Sequence, residues 1–276
     1  MADVLLEGLA IGESPRWHEG RLWFANWGTG EVVAVGLDGR SEVMAKVPTT
    51  LPYSIDWLPD GRLLVVSGQE TRLLRQEPDG SLAAHADLAG LAPICNEIVV
   101  DGRGNAYVNG GDFGEPGMVA LVRPDGSVRQ VADGIEFGNG MAVTPDNATL
   151  IVAESYGHRL TAFEIDSDGG LSGRRVWADL GEDFPDGICL DAEGAVWYAS
   201  VPGEQCVRVS AGGEILGKVT VDRGCFACML GGPDGTTLFI VAAVWRGFEN
   251  MDFTERTGQV LVTSAPAPAA GWPLAA

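Results

Sequence analysis

Six turn-and-strand units spaced 41 to 47 residues apart, a second hairpin signal beside them and no convincing long helix predict an all-β chain, a six-bladed β-propeller. The turns recur as Glu19-Gly20, Asp60-Gly61, Arg103-Gly104, Asp146-Asn147, Glu193-Gly194 and Asp234-Gly235, each leading into an apolar run such as Leu22-Trp23-Phe24 or Leu63-Leu64-Val65. Their second positions (20, 61, 104, 147, 194 and 235) lie 41, 43, 43, 47 and 41 residues apart, the length of one blade of short strands. The second signal appears at Asp38-Gly39, Asp79-Gly80, Asp125-Gly126 and Gly212-Gly213 between Val/Leu-rich runs. Glycine there supplies the positive φ that a tight hairpin requires.

The ends of the chain complete the ring. Val4-Leu5-Leu6 and Gln259-Val260-Leu261-Val262 both read as strands, and contributing both to one blade stabilises the closed ring. Residues 1–263 are therefore expected to form a single propeller domain, with 264–276, rich in Ala and Pro, as a loose or surface-docked tail. Eighteen basic against 38 acidic residues, net −20, argue against nucleic acid or an anionic membrane as partner. No apolar run approaches the roughly 18 residues of a membrane span, and no signal-peptide pattern follows Met1, so a cytoplasmic protein acting on a small molecule is expected. Cys95, Cys189, Cys206, Cys225 and Cys228 are odd in number and mostly sit in apolar runs, which favours reduced, buried thiols.

Counting back seven or eight residues from each repeat turn gives Glu13, Ser54, Asn96, Asn139, Asp186 and Cys228. Equivalent points of the blades face the central channel, so these side chains converge at one mouth. Four of them are Glu, Asn, Asn and Asp, a set of oxygen donors without imidazole that suits a hard cation. Capping of strand ends is the competing role, and the common phase across blades disfavours it.

Glu13-Ser14-Pro15-Arg16-Trp17, Asn139-Gly140-Met141 with Pro145-Asp146, and Pro185-Asp186-Gly187-Ile188 through Glu193-Gly194 resemble the motifs of the SMP-30/gluconolactonase/luciferin-regenerating-enzyme family from about residue 5 to about residue 245. The resemblance implies a six-bladed propeller with one divalent cation in its channel, Ca²⁺ favoured and Mg²⁺, Mn²⁺ or Zn²⁺ as alternatives. It also implies Glu13, Asn139 and Asp186 as metal ligands, Asn96 as a further ligand or substrate contact, and Asp186 as candidate general base. Many such proteins hydrolyse lactones: the cation polarises the carbonyl and a carboxylate takes the proton of the attacking water.

One departure bears on substrate. Sugar-lactone relatives commonly carry Arg-x-Asn-Asp in the third blade, where this chain reads Ile94-Cys95-Asn96-Glu97. A polyhydroxylated lactone would meet hydrocarbon instead of a charged partner, a mismatch that favours a less polar substrate. Ile94, Asn96, Glu97, Cys228 and Phe113, on the Gly-rich loop 110–117, are the expected substrate contacts. The leading function is thus a metal-dependent lactonase or carboxylic-ester hydrolase; hydrolysis of a phosphorus ester or fluoridate at the same site, or a non-catalytic metal-binding propeller, are the alternatives. Ala153-Glu154-Ser155-Tyr156-Gly157 looks like a nucleophile elbow but precedes a strand where that motif needs a helix, so it is expected to be a hairpin turn.

Overall fold

Within each repeat the apolar runs pair as antiparallel strands, and the computed structural model, which describes residues 2–48 and 51–273, contains six four-stranded sheets. Five are simple meanders of consecutive strands. Their innermost strands are Gly12–His18, Tyr53–Trp57, Ile94–Val100, Gly138–Val143 and Pro185–Leu190, in blades 1 to 5. Blade 6 runs outward from Gly224–Gly231 through Thr237–Ala243 and Gly258–Ser264 to Asp3–Leu9, so the start of the chain supplies its outermost strand, as the strand-like ends predict.

The core lies between blades. Six apolar clusters each join two neighbouring sheets: Leu64 and Val66 of blade 2 meet Ile98 and Val108 of blade 3, and Phe24 and Val33 of blade 1 meet Phe239 and Val260 of blade 6. Inner strands are covered on both faces, which is why Leu63–Ser67 and Val196–Ser200 are buried at every residue and read as continuous apolar runs. Each fully buried Leu, Ile or Val contributes about 1.5–3 kcal/mol.

The segment after Gly258–Ser264 docks across three blades. Ala265 and Ala269 donate backbone N–H groups to Thr236 and Gly235 of blade 6, while Ala270 donates to Leu190 and Pro268 accepts from Ala192 in blade 5. The Trp272 indole N–H reaches Trp17 O of blade 1 at 3.2 Å.

A local irregularity positions the site. In five innermost strands the register with the next strand slips by one residue near the same end: between Glu13 and Arg16, Cys95 and Ile98, Gly138 and Met141, Pro185 and Ile188, and Cys225 and Ala227. These are β-bulges, which turn a side chain out of the sheet's alternation. Tyr53–Trp57 pairs with Leu63–Ser67 without a slip. Two glycines make room where bulged strands converge: a Cβ on Gly140 would stand 2.5 Å from Ile188 N, and one on Gly187 2.4 Å from Ala227 Cβ.

Candidate metal centre and substrate cavity

The bulged ends open into a cavity of about 420 Å³ lined by Glu13, Asn96, Asn139 and Asp186, with Ile94 and Phe113 in its wall. The backbone that presents these side chains is strained. Ser14, directly after Glu13, has φ 50°, and Phe137, two residues before Asn139, has φ 56°, conformations that cost L-residues about 1–3 kcal/mol and persist where surrounding contacts hold them. Ser14 N donates to Glu13 Oε2 at 3.1 Å, and Phe137 O accepts from Ser155 N at 3.0 Å.

Hydrogen bonds turn the amides. Asn96 Nδ2 donates to Gly138 O at 3.1 Å, so its carbonyl end is available to a ligand. Asn139 hydrogen-bonds the Asp186 carboxyl and lies 3.5 Å from Ser155 Oγ. Ser155 Oγ in turn donates to Pro185 O at 2.6 Å, fixing the residue that precedes Asp186. Asn109 Nδ2 donates to Asn139 O at 2.6 Å.

Asp186 Oδ1 is buried and has no hydrogen-bond partner. Burial raises the Asp186 carboxyl well above the usual carboxylate range, and Glu97 and Cys228 push in the same direction. Burial likewise raises Glu13, reinforced by Asp186 and Glu97. A buried orphan oxygen is costly unless something binds it. Two carboxylates repelling each other beside carbonyl oxygens have the donor chemistry of a hard divalent cation, whose charge would reverse both shifts. Among the described residues no group of three or more His, Cys, Asp or Glu is arranged to hold a metal; the oxygen set here depends on asparagine.

Glu97 and Cys228 do not line the cavity, contrary to expectation. Glu97 follows Asn96 in its strand and turns inward, where Oε1 accepts from Ser14 Oγ at 2.9 Å, Ile98 N at 2.9 Å and Arg16 Nη2 at 3.3 Å. Beside it Asp56 accepts from Trp57 N and Val100 N, both at 2.8 Å, with Arg16 Nε 3.9 Å away. Cys228 is displaced because the blade 6 bulge falls earlier: Phe226 is its extra residue and lines the cavity, while Cys228 lies behind, its thiol toward Gly187 O at 3.7 Å. Ser54, in the one unslipped inner strand, bonds Asn96 O at 2.8 Å and is likewise no part of the lining.

Sequence reasoning missed most of the wall. Trp27, Phe137, Tyr156, Phe184, Met251 and Phe253 line it from connections between strands, where the repeat carries no signal. Ser155 and Tyr156 belong to the segment resembling a nucleophile elbow, which is indeed a turn between Thr149–Glu154 and Arg159–Ile165.

The family model described as SMP-30/Gluconolactonase/LRE-like region matches residues 11–244. Regucalcin of Xenopus laevis is 29% identical over 260 residues, covering 87% of this chain and 85% of its own. A pentonolactonase of Haloferax volcanii is 25% identical over 242 residues, covering 84% and 81%. The crystal structure of regucalcin from Agrobacterium tumefaciens, a calcium-binding protein, superposes with a TM-score of 0.81 at 22% identity over 100% of this chain and 97% of the other, a likeness of fold. Among the described residues no helix is long and apolar enough to cross a membrane.

Proposed function

This chain belongs to the SMP-30/gluconolactonase/LRE-like family, and we propose that it is a lactonase dependent on one divalent cation, Ca²⁺ by preference, that opens a small, fairly apolar lactone. The observation that carries the reading is the orphaned Asp186 Oδ1 in a cavity shared with Glu13, Asn96 and Asn139. Glu13, Asn139 and Asp186 would hold the cation, with Asn96 beside them. When bound, the cation would supply Lewis acidity to the lactone carbonyl.

The protein's own groups do the rest. Asp186 takes a proton from the attacking water and returns it to the ring oxygen as the acyl C–O bond breaks, so that water adds across that bond and a hydroxy acid leaves. Asn139 and Ser155 keep the carboxylate aimed, through the contacts at Asp186 and Pro185. Ile94 and the aromatic wall exclude water around the ring and favour hydrocarbon over hydroxyl groups. Five buried free thiols agree with a reducing, cytoplasmic setting.

The test is a lactone panel assayed after exhaustive chelation and again after adding back Ca²⁺, Mg²⁺, Mn²⁺ or Zn²⁺, with phosphorus esters alongside. Activity on apolar lactones should vanish with the cation and return with it. Unchanged activity and melting temperature in protein shown by elemental analysis to hold no metal would overturn the assignment.

A further inference from the structure

The cavity sorts charge as well as polarity. Its charged lining residues are Glu13, Asp112, Glu115 and Asp186, and none of its described lining residues is Lys, Arg or His. Glu13 is buried and Asp186 half-buried at the floor, whereas Asp112, Phe113 and Glu115 are exposed at the tip of the hairpin joining Ala106–Asp112 to Glu115–Val122. Beside that tip stands an aromatic wall: Phe137 lies 5.4 Å from Phe113 and 4.6 Å from Tyr156, the latter pair stacked. A second wall, Phe226 with Trp245 and Trp27 with Phe253, comes from blades 6 and 1 and their adjoining segments. In a six-bladed ring those blades are diametrically opposite blades 3 and 4, so the two walls face each other across the floor.

An aromatic face attracts a cation through its ring quadrupole, and two neighbouring carboxylates add to that attraction. At the rim, away from the floor where Glu13 and Asp186 would hold the cation, an anionic group finds no positively charged side chain and meets the carboxylates of Asp112 and Glu115. We propose that the substrate is an aryl or bulky alkyl lactone or ester that is neutral or carries a positive charge, such as an ammonium group, at the end remote from the scissile carbonyl, and that phosphorylated or carboxylated lactones are excluded. The inference rests on the lactonase reading for the reaction but on the cavity wall alone for the charge preference.

Binding of three non-hydrolysable one-ring probes, benzyltrimethylammonium, benzyl alcohol and benzenesulfonate, to the intact protein tests it by calorimetry at low and high salt. The ammonium probe should bind at least about tenfold more tightly than the sulfonate at low salt, a ratio that narrows as salt screens the rim. In Asp112→Asn/Glu115→Gln, whose altered side chains are exposed, the ratio should fall below about threefold. Sulfonate binding as tightly as ammonium, or a ratio untouched by the double substitution, overturns the proposal. Because no probe is hydrolysed, failure on every lactone with charge sorting intact would count against the lactonase reading alone. Loss of sorting in an active lactonase would count against charge selection alone.

Discussion

The floor of the cavity and the stretch of channel beside it hold the same kinds of side chain in opposite states. Around Arg16, Glu97 accepts three hydrogen bonds and Asp56 two from backbone amides, with the guanidinium between them. At the floor, Asp186 keeps an oxygen buried without a partner and Glu13 is pressed by two neighbouring carboxyls. A satisfied buried network rigidifies; an unsatisfied one stores an affinity for something from outside. The difference separates the part of the channel whose polar groups are satisfied within the protein from the part proposed to bind a cation.

The strongest way to break this contrast is Asp186→Asn, which keeps an oxygen at the proposed cation site and removes the proposed base. Turnover should fall by roughly 10²–10⁴ with the fold retained, provided cation occupancy is measured alongside. Near-wild-type turnover with the cation bound would remove Asp186 from the chemistry. On the other side of the contrast, Arg16→Met leaves Glu97 and Asp56 buried without their cation. It should cost about 3–5 kcal/mol in denaturant unfolding, and a loss below about 1 kcal/mol would mean that the guanidinium is not what holds that network.

Ile94→Arg probes the wall. It should narrow the preference for alkyl or aryl lactones over polyhydroxylated ones by roughly 10- to 200-fold in kcat/KM. If the wild-type protein already prefers gluconolactone to an apolar lactone of equal ring size, the substrate reading fails while the cation reading stands.

The smallest effect is on stability against pH. A carboxyl raised in the folded state binds its proton more tightly there than in the unfolded chain. It therefore carries no penalty below the ordinary carboxyl value near ~4, and an increasing one as pH rises from there through the raised folded value. Both Glu13 and Asp186 are raised, so cation-free Asp186→Asn should melt a few degrees above the cation-free wild type near neutral pH, with the gap closing toward pH ~4. Saturating Ca²⁺ should reverse the order. Parallel melting curves at every pH would mean that Asp186 is not the strained group described.

The propeller was legible because each blade repeats a turn that needs glycine or asparagine at positive φ, as at Gly20, Gly61, Gly104, Asn147, Gly194 and Gly235. Counting from those turns also reached four residues that line one cavity, Glu13, Asn96, Asn139 and Asp186. Counting worked there because each of the four strands slips register at or directly after the counted residue: Asn96, Asn139 and Asp186 lie within the slip and Glu13 is the last paired residue before it. It failed at Ser54, which has no slip, and at Cys228, where the slip falls earlier, at Phe226. A bulge is a property of two paired strands, so no single strand announces it. Of the aromatic walls, the sequence pointed to Phe113 and to the segment around Phe226, whereas Phe137 and Tyr156 lie in connections outside the repeat and come to face the cavity only when the ring has closed.

The docked segment after Gly258–Ser264 has a consequence for how the ring comes apart. Blade 6 is closed by the pairing of Asp3–Leu9 with Gly258–Ser264, and the strap continuing from the latter strand is fastened to blades 5 and 1 on either side as well as to blade 6 itself. Opening the ring between blades 6 and 1 therefore breaks the Trp272–Trp17 contact as well as that pairing, and the strap's contribution to stability is expressed in the unfolding rate. Truncation after Ser264 should accordingly speed unfolding with little change in refolding, and so lower the folding equilibrium constant by the same factor.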